Sequence, residues 1–249
     1  MASHQKKKEE KDFEYTDIVN WYETIKKRLE DMRKVIHITT IDGRDDAFIG
    51  TMPIIEDDEF LLEQLDQKED YLSELEKMSK SRRQEWLSVR FLLKEILKEE
   101  KKILYTPAGK PYLQDDSYHI SISHTKGHVA IIADKRNKVA IDIEYISDRV
   151  ERIQDRFLSE KEKQSLSPTQ PFLHLLLHWS AKECLFKLLD EENITFGEQL
   201  HIEPFIPQTN LEAWFYAFET RTERKERYIV HYQVSSDYVL TYIVESYKF

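Results

Sequence analysis

Three stretches near the end of the chain, Trp214-Tyr216-Phe218, Tyr228-Val230-Tyr232-Val234 and Tyr238-Leu240-Tyr242-Val244, place a large apolar or aromatic residue at every second position. Successive side chains of a strand point to opposite faces, so this period of two marks half-buried strands. Further upstream, extended segments around Ile103 and Tyr112, then Tyr118 to Ser123, Val129 to Ala133 and Val139 to Glu144, are divided by Gly109-Lys110-Pro111, Thr125-Lys126-Gly127 and residues 134–138. Turn residues between short apolar runs predict antiparallel strands.

Helical spacing fills the rest. Ile18, Trp21, Tyr22, Ile25, Leu29 and Met32 predict an amphipathic helix from Asp17, after a charged start (residues 1–12) expected to be disordered. Val35 to Ile41 and Ala47 to Ile54 predict a hairpin turning at Asp42-Gly43. Helices are predicted from Asp57 to about Leu65, over Lys80–Glu100 with Ser81 as N-cap, from Arg149 through Leu166, and from Phe172 to about Leu189. The rhythm of helices followed by sheet occurs twice, which predicts an α+β fold of two halves meeting near residue 140. The expected division is an extension over 1–34, a lobe over 35–140 and a lobe over 141–249.

With 37 basic and 47 acidic residues the net charge is −10, so no global field attracts nucleic acid. No apolar run approaches the roughly 20 residues that span a bilayer, and Met1 to Lys8 lacks a signal-peptide core, so no membrane partner and a cytoplasmic location are expected. Cys184 is the single cysteine and reads as a small buried residue.

Asp142 and Glu144 interrupt an otherwise apolar strand, and residues two apart share a face. Two like charges there ask for a cation, and hard oxygen donors suit magnesium or manganese; the plain alternative is the wet face of a half-exposed strand. Glu183 and Lys187 lie one helical turn apart beside Trp179 and Phe186. They read as an ordinary i,i+4 pair or as an acid and a base in a partly apolar site. Ser123-His124 closes a strand with hydroxyl and imidazole donors, but neighbours on a strand face opposite ways, which rejects a serine-hydrolase pair. Arg83 and Arg90, seven residues apart, share one helix face and read as solvated or as an anion-binding edge.

Taken in order, Gly109-Lys110-Pro111, Ile122-Ser123-His124, Ile141-Asp142-Ile143-Glu144, Arg156-Phe157-Leu158-Ser159 with Glu162, and Trp179-Ser180-Ala181-Lys182-Glu183 with Lys187 resemble the 4′-phosphopantetheinyl transferase superfamily. The length resembles its two-lobed group, typified by the enzyme that primes surfactin synthetase. The resemblance implies two similar α+β lobes, a pseudo-dimer in one monomeric chain, with the active site at their interface. It implies Mg2+-dependent transfer of the phosphopantetheine arm of coenzyme A to a serine of an apo acyl or peptidyl carrier protein, the holo-[acyl-carrier-protein] synthase reaction, releasing adenosine 3′,5′-bisphosphate. By the same resemblance Asp142, Glu144 and Glu183 hold the metal, Glu183 is the base for the carrier serine, and Lys187 neutralises the pyrophosphate. Lys110, Ser123, His124, Arg83 and Arg90 bind coenzyme A. The competing readings are a non-catalytic relative that binds coenzyme A or a carrier protein, and a metal-dependent phosphotransferase acting on another substrate.

Overall fold

A computed structural model describes residues 15–209 and 212–245. The chain divides after Ile36 into two compact units. The first contributes one helix, α1 (Tyr15–Arg33), with Arg33 in its last turn where a cation suits the helix dipole. The expectation for residues 1–12 lies outside the described residues, as do the side chains of Ile18 and Trp21.

The second unit opens with the expected hairpin, β1 (His37–Thr40) and β2 (Ala47–Pro53), paired antiparallel. Asp42 and Gly43 carry the turn in left-handed backbone, at φ 52° and 68°. Three helices follow: α2 (Asp58–Glu63), capped by Asp57, which accepts from the Phe60 amide at 2.9 Å; α3 (Lys68–Leu75), which the apolar pattern did not predict; and α4 (Lys80–Leu97). In α3 only Tyr71 and Leu75 are buried, too thin a stripe to register as periodicity. The N-cap of α4 is Ser79, which accepts from the Arg82 amide, rather than Ser81; the helix ends where Lys98 turns left-handed at φ 58°.

β3 (Ile103–Tyr105) and β4 (Pro111–Leu113) form a two-stranded ribbon, and β5 (His119–Thr125) and β6 (His128–Asp134) join the hairpin in an antiparallel sheet ordered β1-β2-β6-β5. α4 lies on β2 and β6. It approaches so closely that a Cβ on Gly50 would stand 2.6 Å from Ile96 Cδ1.

β7 (Val139–Tyr145) begins a second antiparallel sheet, ordered β7-β11-β10-β9-β8, with β8 (Leu200–Ile202), β9 (Ala213–Glu219), β10 (Arg227–Val234) and β11 (Tyr238–Val244). The alternating segments at the chain end are thus strands, as predicted. The helix predicted through Arg149–Leu166 is instead broken: α5 (Arg149–Ile153), a 3-10 turn over Gln154–Arg156, and α6 (Glu160–Ser165). Phe157 and Leu158 drop into the core between them, and Ser159 restarts the helix with a capping box to Glu162. Sequence reading passed over that Ser-x-x-Glu signal. α7 (Pro171–Leu189) covers β7 and β11, and α8 (Phe196–Gln199) leads into β8. The architecture is α+β, with one long helix packed on each of two antiparallel sheets.

The sheets meet face to face through Ile49 and Ile132 of the first and Ile141, Ile143, Leu240 and Tyr242 of the second. Along their seam β5 supplies hydroxyls instead of backbone. Ser121, Ser123 and Thr125, two apart and on one face, accept from the amides of Ile141, Ile143 and Tyr145 at 3.2, 3.3 and 2.9 Å. These bonds satisfy the outer edge of β7, whose amides would otherwise be unpaired.

Under the N-terminal half of α7, His174 and His178 are fully buried and lie against Phe205. Burial lowers both imidazoles from 6.5 to about 4. The unfolded chain therefore binds these protons at higher pH than the folded chain does. Stability is full above pH 6.5 and should fall between pH 6.5 and 4, by up to about 3 kcal/mol per imidazole. Urea titrations at pH 7 and pH 5 check this, and the loss should shrink in His174→Gln.

Candidate functional site

The side chains singled out in sequence converge where α7 crosses the seam. Ser180, Glu183, Cys184 and Lys187 follow the i, i+3, i+4, i+7 spacing of one helix stripe. Lys187 Nζ reaches Asp142 Oδ1 at 2.8 Å, the Ile141 carbonyl at 3.0 Å and Ser123 Oγ at 3.2 Å. Ser123 in turn donates to Asp142 Oδ1 at 3.0 Å, and Ser180 donates to Asp142 Oδ2 at 2.8 Å. Asp142 is thus 4% exposed yet held by a cation and two hydroxyls. On the next outward position of β7, Glu144 Oε1 accepts from Trp179 Nε1 at 2.6 Å. Trp179 is itself packed between Phe157 and Phe196.

The electrostatics couple these groups. Burial, then the charge of Asp142, raises Glu144 above the usual carboxylate range, against the Trp179 hydrogen bond. Burial and the charges of Asp142 and Glu144 push Glu183 up to about 7, with Lys187 opposing. Burial works against the charge of Lys187, but Asp142, with Cys184 and Glu183, outweighs it and holds the ammonium above its ordinary value. The charge of Asp142 thus helps to raise both Glu144 and Glu183, and carboxylates crowded in this way mark a site short of positive charge. Glu144 Oε2 and the Glu183 carboxylate accept no hydrogen bond among the described residues, so hard oxygen donors remain open. The donor set fits a divalent ion such as magnesium or manganese. Among the described residues no three His, Cys, Asp or Glu side chains stand close enough to enclose an ion as they are; the Lys187 ammonium supplies the nearest charge to Asp142.

Beside Lys187 opens a cleft of about 540 Å3, lined among others by Lys110, Ile122, Val139, Phe186 and Asp190. Lys110 Nζ stands 3.1 Å from Asp190 Oδ2 across it. A second hollow of about 320 Å3 shares Lys110, Pro111, Ile120, Val139 and Asp190 and extends the cleft to His119 and Lys138.

The remaining sequence candidates stand apart. Ser123 is buried and committed to Asp142, Lys187 and the Ile143 amide rather than turned into the cleft. His124, on the opposite side of β5, is exposed and 3.9 Å from Glu85 of α4. Arg83 is tied to Asp58 and to the Met78 carbonyl. Arg90 is buried, its guanidinium 3.0 Å from the centre of the Trp86 ring, so it is neither solvated nor an exposed anion-binding edge. Neither arginine lines the cleft or the hollow that extends it. Sequence reading missed Ser180, although its spacing from Glu183 and Lys187 was legible. It also missed Thr241, whose place opposite Asp142 only strand register reveals.

Residues 138–243 match the family model described as the 4′-phosphopantetheinyl transferase superfamily. The match contains β7, α7 and the carboxylates and lysine of the site, while Lys110, Ser123 and His124 lie before it. No curated protein matches the chain.

Proposed function

From the match of residues 138–243 to the 4′-phosphopantetheinyl transferase superfamily, we propose that the protein transfers the phosphopantetheine arm of coenzyme A to a serine of an apo acyl or peptidyl carrier protein. The observation that carries this reading is the grouping, on one crossing of α7 over β7, of a lysine on Asp142 and two further carboxylates with raised proton affinity beside an open cleft. A non-catalytic coenzyme A binder has no use for that set.

Asp142, Glu144 and Glu183 would hold a divalent cation, magnesium by resemblance. When bound, the cation neutralises pyrophosphate charge and lowers the cost of the departing bisphosphate. The protein does the rest. Lys187 offers its ammonium to the same pyrophosphate, and Lys110 can exchange Asp190 for a phosphate oxygen. Glu183 in its ionised form takes the proton from the carrier serine as its oxygen attacks phosphorus. The new serine O–P bond replaces the bond to adenosine 3′,5′-bisphosphate, which leaves with the electron pair. Such transfers depend on positioning and charge neutralisation.

Intact-protein mass spectrometry of a panel of apo carrier proteins, incubated with the protein, coenzyme A and Mg2+, tests the reading. The expected result is a phosphopantetheine mass gain on at least one carrier that EDTA abolishes. Coenzyme A binding with no gain on any carrier would favour the binding-only alternative.

A further inference from the structure

We infer that Ser180 and Thr241 are positioning residues that fix the Asp142 carboxylate through a buried relay of hydroxyls; the inference rests on the reading above that Asp142 serves a divalent cation. Thr241 on β11 is the direct register partner of Asp142 on β7. Opposed residues of an antiparallel pair project from the same face, here toward α7. Ser180 of α7 meets both, its Oγ 2.8 Å from Asp142 Oδ2 and 2.8 Å from Thr241 Oγ1. Cys184, one turn further along, places Sγ 3.2 Å from Thr241 Oγ1 and 3.2 Å from the Thr241 carbonyl. Ser180, Cys184 and Thr241 are all at 0% exposure, so water cannot substitute for any link.

The direction of the relay follows from valence. An ionised carboxylate only accepts, so the single Ser180 proton goes to Asp142. Ser180 Oγ must then receive the proton of Thr241, and Thr241 Oγ1 is left as an acceptor facing the Cys184 thiol. No member can reverse without leaving Asp142 Oδ2 unsatisfied in the interior. Ser123 and Lys187 occupy Oδ1 from the other side. The carboxylate is therefore gripped from three elements, β5, α7 and, through Ser180, β11, with one acceptor position on Oδ2 left over. Groups that orient a cation-binding carboxylate in this way matter almost as much as the carboxylate itself.

Calorimetric titration of Mn2+ into the protein alone provides a readout independent of turnover. Ser180→Ala should weaken Mn2+ binding by about 10- to 100-fold. Thr241→Val, which keeps the volume and loses the hydroxyl, should give a smaller loss in the same direction. The double variant should be no weaker than Ser180→Ala, because Thr241 acts only through the Ser180 oxygen. Ser180→Thr and Thr241→Ser, which retain the hydroxyl, should restore binding. Transfer by Ser180→Ala should recover toward wild type as Mg2+ is raised, which a merely damaged fold would not do. Wild-type Mn2+ affinity in Ser180→Ala and Thr241→Val, with binding lost in Asp142→Asn, overturns the relay and leaves the cation site standing. Wild-type affinity in Asp142→Asn, or no Mn2+ binding by the unaltered protein, overturns both.

Discussion

Replacing Glu183 by glutamine should lower phosphopantetheine transfer by about 10²- to 10⁴-fold, the range for loss of a general base, with little change in thermal unfolding. Among the described residues Glu183 makes no hydrogen bond that the amide would break, and burial and Asp142 already resist its ionisation. The neutral glutamine therefore removes function without removing support. Asp142 is a less clean probe, because Asp142→Ala would strand the Lys187 ammonium and two hydroxyls that now converge on it. The same carboxyl gives a pH signature. With its pKa raised to about 7, Glu183 is increasingly protonated below pH 7 and must release that proton to bind a cation. Divalent-ion affinity should therefore weaken as pH falls below 7, and the heat of binding at pH 6 should vary with the ionisation enthalpy of the buffer. Identical heats in all buffers would place the titrating group elsewhere.

Lys182→Met should destabilise the fold by about 3–5 kcal/mol, the cost of leaving one member of a buried ion pair unpaired. For a domain of this size that is on the order of 10 °C in unfolding temperature. Lys182 sits beside Glu183 in sequence but makes different contacts: at 0% exposure it donates to Glu162 at 2.8 Å and to the carbonyls of Phe157 and Phe196. Glu162 also accepts from the Ser159 amide and hydroxyl and from the Ile202 amide. Burial opposes the charge of Glu162, but Lys182 and these donors hold its pKa below the ordinary value. One ion pair thus ties the break before α6, the turn into α8 and β8 to the helix that carries the site. Adding Glu162→Gln to Lys182→Met should recover part of the loss, because the stranded charge is removed. A double variant as unstable as the single one would mean that the backbone bonds of Lys182, rather than the charge, carry the effect.

Legibility from sequence followed the range of the interaction. Asp142, Glu144, Glu183 and Lys187 stood out because an acid in an apolar strand, or an acid and a base one helical turn apart, is a local pattern, and the structure gathers all four. Ser123, which the resemblance assigns to coenzyme A, is held against Asp142 by a contact that no local pattern contains. Spacing leaves Arg90 open between a solvated residue and an anion-binding edge, because it reports which helix face a residue shares and not what covers that face. Here Trp86 and Tyr71 cover it.

What the chain alone determined was the class of structure and the inventory of the site. Periods of two and 3.6 are imposed by backbone geometry within a few residues, so the strands of the second sheet, α4 and α7 could be read directly. What tertiary structure decided was pairing and commitment. The break at Phe157-Leu158 follows from the core that receives those side chains, and the Ser121, Ser123 and Thr125 seam follows from β7 lying beside β5. Thr241 gains its role from standing opposite Asp142, 99 positions away along the chain. Contacts between distant segments depend on register and on burial that no local window contains, and these are what turn a list of acids and hydroxyls into an oriented site.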